Sequence, residues 1–197
     1  MLELFMDTTY QTAHGQLMDL ITAPIGKADL NKYTMDTYLR IVTFKTAYYT
    51  IYMPIACGML LAGIQSGKAL DVAKKICVKM GQYFQIQDDY LDCYGDPKVI
   101  GKVGTDIEES KCSWLVVTAL AQATKAQKEV IKKNYGVNDK KKVASIKALY
   151  KEMKLAEQFH SYEDKMYKEL VHDINKQKEV PAELFMWMLG KIFKRQK

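Results

Sequence analysis

Apolar side chains recur at intervals of three and four residues along most of this chain, which is the spacing of amphipathic helices. The clearest example lies between Ala156 and Gln177, where large apolar residues share one helical face: Phe159, Tyr162, Met166, Leu170 and Ile174. No stretch of the sequence sustains the period-two alternation of a half-buried strand. The pattern therefore predicts an all-α fold whose helices are joined by short loops.

Capping residues and helix breakers predict where these helices begin and end. The expected helices cover about residues 1–22, 34–63, 70–93, 114–123, 124–136, 138–153, 156–177 and 184–193. Pro54 should kink or end the second of them, because proline has no N–H to donate. Ser113 and Thr124 should cap the helices that follow them. Ala23-Pro-Ile-Gly26 should form a loop.

Composition limits the size of the fold and the kind of partner. The chain has 197 residues, 48% hydrophobic and 26% charged, which is enough for one domain with a sizeable core. Its net charge of +6 suits an anionic phosphorylated substrate. The basic residues are scattered apart from Lys140–Lys142 and the tail Lys191–Lys197, and neither cluster is interleaved with aromatic residues. Nucleic-acid binding is therefore not expected.

Cysteine spacing and hydropathy indicate the compartment. The four cysteines are far apart with no CxxC pair, so we expect buried thiols in a reducing, cytoplasmic environment. The most apolar run, Ile51–Ile64, is too short to span a membrane, and no secretory signal is visible.

The chain begins in the middle of an amphipathic pattern at Met1–Met6, with no cap ahead of it. We therefore expect part of a larger domain to be absent.

Four polar residues within the stretch Gly81–Asp92 share one helical face. Gln85, Asp88, Asp89 and Asp92 stand at positions i, i+3, i+4 and i+7. Three carboxylates on one face repel each other unless a cation lies among them, and oxygen ligands on a rigid helix suit Mg²⁺. The alternative is a solvated acidic face. The spacing alone leaves both interpretations open.

Two other segments carry matching chemistry. The loop after the acidic helix contains Lys102, Asp106 and Lys111 among glycines that let backbone amides approach an anion. Its composition equally suits a flexible surface loop. An earlier helix carries Lys45 and Thr46. Lysines and a metal that converge in a helical bundle would form a diphosphate site.

These motifs, in this order, resemble the eukaryotic-type farnesyl diphosphate synthases of the trans-prenyltransferase family. The resemblance runs the whole length of the chain and rests on several segments: Gln11–Gln16, Lys45–Tyr49, Phe84–Asp92, Tyr94–Pro97, Gly101–Asp106, Lys111–Trp114 and Lys191–Arg195. It implies an isoprenoid synthase helical bundle, dimeric in the family. It also implies Mg²⁺-dependent condensation of dimethylallyl or geranyl diphosphate with isopentenyl diphosphate to give farnesyl diphosphate.

The resemblance also implies roles for individual residues. Asp88 is the direct ligand of one Mg²⁺, while Asp89 and Asp92 hold its water shell. Lys45 and Lys102 hold the allylic diphosphate.

The remaining implied roles concern the reacting carbons and closure of the site. Thr46 and Gln85 lie beside the reacting carbons, and Asp106 and Lys111 brace the loop. The substrate-binding set is completed by three further residues: Gln16, Tyr49 in the homoallylic pocket, and Arg195 in a tail that folds over isopentenyl diphosphate.

The sequence departs from the family pattern in one respect. The resemblance implies a first aspartate-rich motif and an Arg-Arg pair upstream, and this sequence contains neither. We therefore expect residues 1–197 to be the C-terminal part of a single polyprenyl synthase domain, inactive alone. Two alternatives remain: a short, non-catalytic homologue that binds diphosphate or dimerises with a full-length synthase, and a terpene synthase derived from the family.

Overall fold

A computed structural model describes residues 1–24 and 29–196, and this part of the chain contains helices and no strand. The α-helices are α1 (Leu2–Thr22), α2 (Met35–Val42), α3 (Met53–Leu61), α4 (Gly67–Tyr94), α5 (Pro97–Ile100), α6 (Trp114–Gln122), α7 (Lys125–Asn134), α8 (Lys140–Glu152), α9 (Leu155–Lys176) and α10 (Ala182–Ile192). A π-helix, Thr43–Tyr52, joins α2 to α3, and a 3₁₀ turn, Leu30–Lys32, precedes α2. The prediction of an all-α fold is confirmed.

The helices form two compact units, and α1, α2, α4 and α9 contribute residues to both. Unit 1 consists of Met1–Gln16, Ile41–Gln85 and Tyr162–Arg195. Unit 2 consists of the described parts of Leu17–Arg40 and Ile86–Ser161, together with Gln196.

Unit 1 has a core of aliphatic and aromatic side chains from the π-helix, α3, α4, α9 and α10. Its most buried members include Met59, Cys77, Met80, Leu170, Ile174, Phe185 and Leu189. One carboxylate is also buried: Glu163 of α9 accepts a hydrogen bond of 2.7 Å from the Tyr83 hydroxyl of α4. A buried carboxylate is tolerated only when donors satisfy it, so this bond helps to hold α9 against α4.

Unit 2 is built around stacked aromatic rings. The ring of Tyr90 on α4 lies parallel to Phe159 of α9, with centroids 4.0 Å apart, and Trp114 meets the same Phe159 edge-on. Ile131 of α7 and Ile146 of α8 are fully buried, and these two helices contact each other. The ring contacts fix how the acidic half of α4 is oriented within the unit.

At Pro54 the structure shows a change of helix type rather than an interruption of the helix. The chain does not leave the helical path there, because residues Tyr52 and Met53 keep right-handed helical dihedrals. Instead, the ten residues of the π-helix take the wider hydrogen-bonding pattern, with the Met53 N–H bonded to the Tyr48 carbonyl. Pro54 then occupies the first turn of α3, where no N–H is needed.

The predicted caps have mixed outcomes. Thr124 caps α7 in a reciprocal capping box with Gln127, as expected, and Asp139 caps α8. Ser113 occupies the N-cap position of α6, but its side chain makes no capping bond, so that prediction was wrong. The first N–H of α6 is satisfied by a carboxylate of α4. The predicted loop Ala23-Pro-Ile-Gly26 lies partly outside the described residues.

All four cysteines are free thiols; Cys77, Cys93 and Cys112 are buried, and Cys57 is half-buried. Across the described ranges, no helix is long and apolar enough to cross a membrane.

Burial raises the pKa of Cys77 from 9.0 to about 12, which predicts a loss of stability in alkali. Above pH 9 the unfolded chain ionises this thiol while the folded chain keeps it protonated. The free energy of unfolding should therefore fall by about 1.4 kcal/mol per pH unit from this group alone. Urea unfolding at pH 8 and at pH 10.5 measures the effect. In the Cys77→Ala variant the free energy of unfolding should fall less steeply with pH over the same interval. An identical pH dependence in the two chains would contradict the raised pKa of Cys77.

Candidate functional site

The acidic half of α4 lies in unit 2, and its three aspartates have different surroundings. Asp88 is half-buried. Asp89 is only 5% exposed, and its Oδ2 accepts a hydrogen bond of 2.7 Å from the backbone N–H of Trp114. Asp89 therefore supplies the cap that was expected of Ser113, and it ties the start of α6 to α4.

Asp92 holds the loop that follows α4. We call residues 101–113 the lysine loop. The two carboxylate oxygens of Asp92 accept backbone N–H groups of Thr105 at 3.3 Å and Asp106 at 3.0 Å. Gly104 makes this approach possible, because a Cβ there would lie 1.8 Å from the Asp92 carbonyl oxygen. Lys102 Nζ lies 4.0 Å from Asp92 Oδ1. The structure thus brings Asp92, Lys102 and Asp106 together.

The same region carries an excess of negative charge. Burial, and then the nearby carboxylates of Asp89, Asp92 and Asp88, raise the pKa of Asp106 to about 8. Lys102 opposes this shift and does not cancel it. A divalent cation bound among these carboxylates would offset the repulsion that raises the pKa of Asp106.

The donor set suits Mg²⁺ held largely through water. In the part of the chain that the structure describes, no three His, Cys, Asp or Glu side chains are gathered closely enough to hold a metal ion by themselves. Asp89 and Asp92 already bond backbone N–H groups, and each carboxylate keeps lone pairs for a further bond. Mg²⁺ usually keeps several waters and takes only one or two carboxylates directly. The carboxylates of Asp88, Asp89 and Asp92 are therefore of the kind that Mg²⁺ accepts.

Lys111 lies at the other end of the lysine loop. Its Nζ is 3.7 Å from Oδ2 of the buried Asp19 on α1 and 3.9 Å from Glu109. The ammonium group is thus held by its own unit, consistent with the expected role of bracing the loop.

In unit 1, a different group of predicted residues meets. The Thr46 hydroxyl of the π-helix donates to Gln85 Oε1 of α4 at 2.9 Å. One turn earlier, Gln82 donates to Thr43 at the same distance. Gly81 permits this close approach, because a Cβ there would lie 2.5 Å from Ala47 Cα. Thr46 and Gln85, to which the family resemblance gives a shared role, are therefore direct hydrogen-bond partners.

Lys45 is positioned through its backbone. A Cβ on Gly15 of α1 would lie 2.1 Å from the Lys45 nitrogen, so α1 and the π-helix touch at this point. Gln16, the next residue of α1, is exposed. Tyr49 is 48% exposed on the π-helix. No contact that joins Gln16 or Tyr49 to the other predicted residues is seen in the described part of unit 1.

Arg195 is docked on α4. Its guanidinium carbon lies 3.9 Å from the centroid of the Phe84 ring, and it also approaches the Phe84 carbonyl oxygen at 3.4 Å. Cation–π stacking of this kind holds the C-terminal tail beside Gln85 within unit 1.

Several residues that build these arrangements were missed from the sequence. Gly15, Gly81 and Gly104 are needed for backbone contact, and Tyr33 and Tyr135 bond the end of the lysine loop. The only sequence signal for the glycines was their position inside predicted helices or beside charged residues. The tyrosines gave none, because their partners are backbone carbonyls far away in sequence.

The chain is similar to proteins of one family throughout its length. A family model described as polyprenyl synthetase matches residues 1–153. Farnesyl pyrophosphate synthase of Gallus gallus is 48% identical over 198 residues, which cover 100% of this chain and 54% of that protein. Farnesyl pyrophosphate synthase 1 of Lupinus albus is 52% identical over 199 residues, which cover 100% and 58%.

A comparison with solved structures points to the same family. T. brucei farnesyl diphosphate synthase complexed with risedronate matches with a TM-score of 0.92 and 36% identity, covering 100% of this chain and 59% of that one. The resemblance inferred from the motifs and the isoprenoid synthase type of helical fold are thereby confirmed. The chain spans little more than half the length of these relatives.

Proposed function

The chain belongs to the polyprenyl synthetase family, and on that basis we propose that it carries part of a Mg²⁺-dependent prenyltransferase site that binds the diphosphate of an allylic substrate. The observation that carries this proposal is the lysine loop drawn onto α4, where Asp92, Lys102 and Asp106 meet beside Asp88 and Asp89. A surface loop of the same composition would not need its amides bonded to a buried carboxylate. The reaction proposed is condensation with isopentenyl diphosphate to give farnesyl diphosphate.

Each residue has a proposed task in this reaction. Mg²⁺, when bound, supplies charge neutralisation of the departing diphosphate. Asp88 would hold the ion directly, with Asp89 and Asp92 bonding its waters. Lys102 and Lys45 would bind the diphosphate oxygens by charge-assisted hydrogen bonds.

The hydrogen-bonded pair Thr46 and Gln85 would stabilise positive charge on the reacting carbons. After the alkene attacks, the pair would guide the loss of a proton to the departing diphosphate. Gln16, Tyr49 and Arg195 would contact isopentenyl diphosphate. Asp106 and Lys111 would keep the loop in place. A homodimeric, cytoplasmic enzyme is the corresponding expectation for the whole protein.

A second candidate function is diphosphate binding without catalysis, alone or in association with a longer synthase. The observation that favours it is that Asp88–Asp92 is the only DDxxD motif in the sequence, and that Arg40 and Arg195 are its only arginines. A terpene synthase would use the same acidic face to ionise a prenyl diphosphate without coupling.

Calorimetric titration of the chain with inorganic pyrophosphate tests the proposal. We expect binding in the presence of Mg²⁺ and little in its absence, because carboxylates and diphosphate repel each other without a cation. Lys102→Gln should weaken the affinity about tenfold, as expected for one charge-assisted bond. The control is Lys68→Gln, since Lys68 pairs with Glu179 in unit 1.

Turnover separates the candidate functions. We expect the chain alone to form no farnesyl diphosphate from isopentenyl and dimethylallyl diphosphates with Mg²⁺, and product analysis checks this. Detectable product would refute that expectation and exclude the non-catalytic alternative. Absence of any Mg²⁺-dependent pyrophosphate binding would count against the proposed site itself.

A further inference from the structure

The C-terminal end of the lysine loop adopts an uncommon backbone conformation. Ser110 has a φ of +59°, in the left-handed region that residues with a Cβ rarely enter, yet it is only 5% exposed. A buried non-glycine residue keeps such a conformation only when its surroundings hold it there.

Two tyrosine hydroxyls hold this turn. Tyr33 donates to the Ser110 carbonyl oxygen at 2.5 Å, and Tyr135 donates to the Lys111 carbonyl oxygen at 2.6 Å. Burial raises the pKa of Tyr33 to about 12, and it raises the pKa of Tyr135 well above the ordinary value. Both hydroxyls therefore stay protonated, and remain donors, throughout the neutral range.

A glycine completes the arrangement from the end of α7. The Gly136 N–H donates to the Ile107 carbonyl oxygen at 2.8 Å. Its φ is +76°, and a Cβ there would lie 2.6 Å from Ser110 Oγ. Tyr135 and Gly136 thus bond the loop at two successive points, and only glycine allows the approach.

The turn lies at the wall of a cavity of about 830 Å³ in unit 2, which Tyr33, Ser110, Tyr135 and Gly136 help to line. The directional bonds from the two tyrosines favour one position for the loop end.

We propose that Tyr33 and Tyr135 are positioning residues that set the conformation of the lysine loop, and through it the directions of Lys102 and Lys111. Asp92 bonds the middle of the loop, at the N–H groups of Thr105 and Asp106, so the loop is held at two separate places. Loss of the tyrosine bonds frees one end. This inference rests on the proposed function only in taking a diphosphate as the ligand that Lys102 binds.

The test compares the double variant Tyr33→Phe/Tyr135→Phe with Tyr94→Phe. Tyr94 is a matched control, because its hydroxyl is buried in the same unit and forms no hydrogen bond with any described residue. Amide hydrogen exchange should become at least about tenfold faster in residues 101–113 of the double variant, with the amides of α9 unchanged. Tyr94→Phe should leave exchange in the loop as it is in the unsubstituted chain.

Binding supplies the second readout, measured well below the unfolding temperature so that the folded fraction does not change. The double variant should bind Mg²⁺-pyrophosphate about tenfold more weakly than the unsubstituted chain, which corresponds to the loss of two hydrogen bonds that preorganise the loop.

The possible outcomes are distinguishable. Unchanged exchange in the loop overturns the inference. So does faster exchange that is spread equally over α9, because the tyrosines would then be merely structural. Faster exchange confined to the loop with unchanged affinity also overturns it. If the unsubstituted chain binds no pyrophosphate, the proposed function fails, and local exchange alone decides whether the tyrosines position the loop.

Discussion

Asp88→Ala is expected to weaken Mg²⁺-dependent pyrophosphate binding by this chain by about a hundredfold or more, since it removes the carboxylate proposed as the direct metal ligand. In a longer chain that carries the upstream aspartate-rich motif, turnover should fall by orders of magnitude. The physical reason is that a ligand of a charge-neutralising ion contributes several kcal/mol at the transition state. Titration calorimetry and steady-state kinetics measure the two effects.

Asp71→Ala is the matched control for this substitution. Asp71 is an exposed carboxylate on the same helix, α4, within unit 1. Its removal changes the charge of the chain equally and should leave the affinity within about twofold, because an exposed charge is screened by solvent and salt. Equal losses in both variants would mean that net charge rather than a metal site controls binding. An unchanged Asp88→Ala variant would show that the acidic face does not bind the ion.

Gly15→Ala is expected to cause the largest loss of stability among single methyl additions in unit 1. The new Cβ would lie 2.1 Å from the Lys45 nitrogen and 2.5 Å from its Cα, and backbone atoms cannot rotate away as a side chain can. Overpacking of this kind costs about 3 kcal/mol, at the upper end of the usual range. The melting temperature should fall by roughly 6–12 °C for a chain of this size.

Gly58→Ala provides the control, because a Cβ at this helical position meets nothing within 4 Å. Alanine is the better helix former, so this variant should be neutral or up to about 1 kcal/mol more stable. Differential scanning calorimetry of both variants checks the pair. If the melting temperature of Gly15→Ala equals that of the unsubstituted chain, α1 and the π-helix do not touch at Lys45.

The sequence was sufficient to predict features that depend on residues close together in the chain, such as the long helices. Periodicity identified the long helices, with α9 at Leu155–Lys176 against a predicted 156–177. The cap at Thr124 was likewise predicted, since a capping side chain bonds N–H groups two or three residues away. The motif Asp88–Asp92 and the resemblance it carries were also readable without coordinates.

Contacts between distant segments were not predictable in this way. The bond from Thr46 to Gln85 joins residues 39 positions apart, and the cap of α6 comes from Asp89, 25 positions away from Trp114. Pro54 illustrates the same limit. The sequence indicated a kink or an end of the helix, whereas the chain stays helical and takes the hydrogen-bonding pattern of a π-helix over Thr43–Tyr52.

By itself, the sequence determined that this protein is all-helical, that its carboxylates share a face of α4, and that its motifs are those of a prenyltransferase family. Only the tertiary structure decided which carboxylates also accept hydrogen bonds from distant backbone N–H groups. It also decided which glycines allow two backbones to touch and which tyrosines bond the lysine loop. The physical reason is that helix periodicity and capping are set by energies within a few residues. The position of a loop, in contrast, is set by hydrogen bonds and close approaches between segments that only the folded chain brings together.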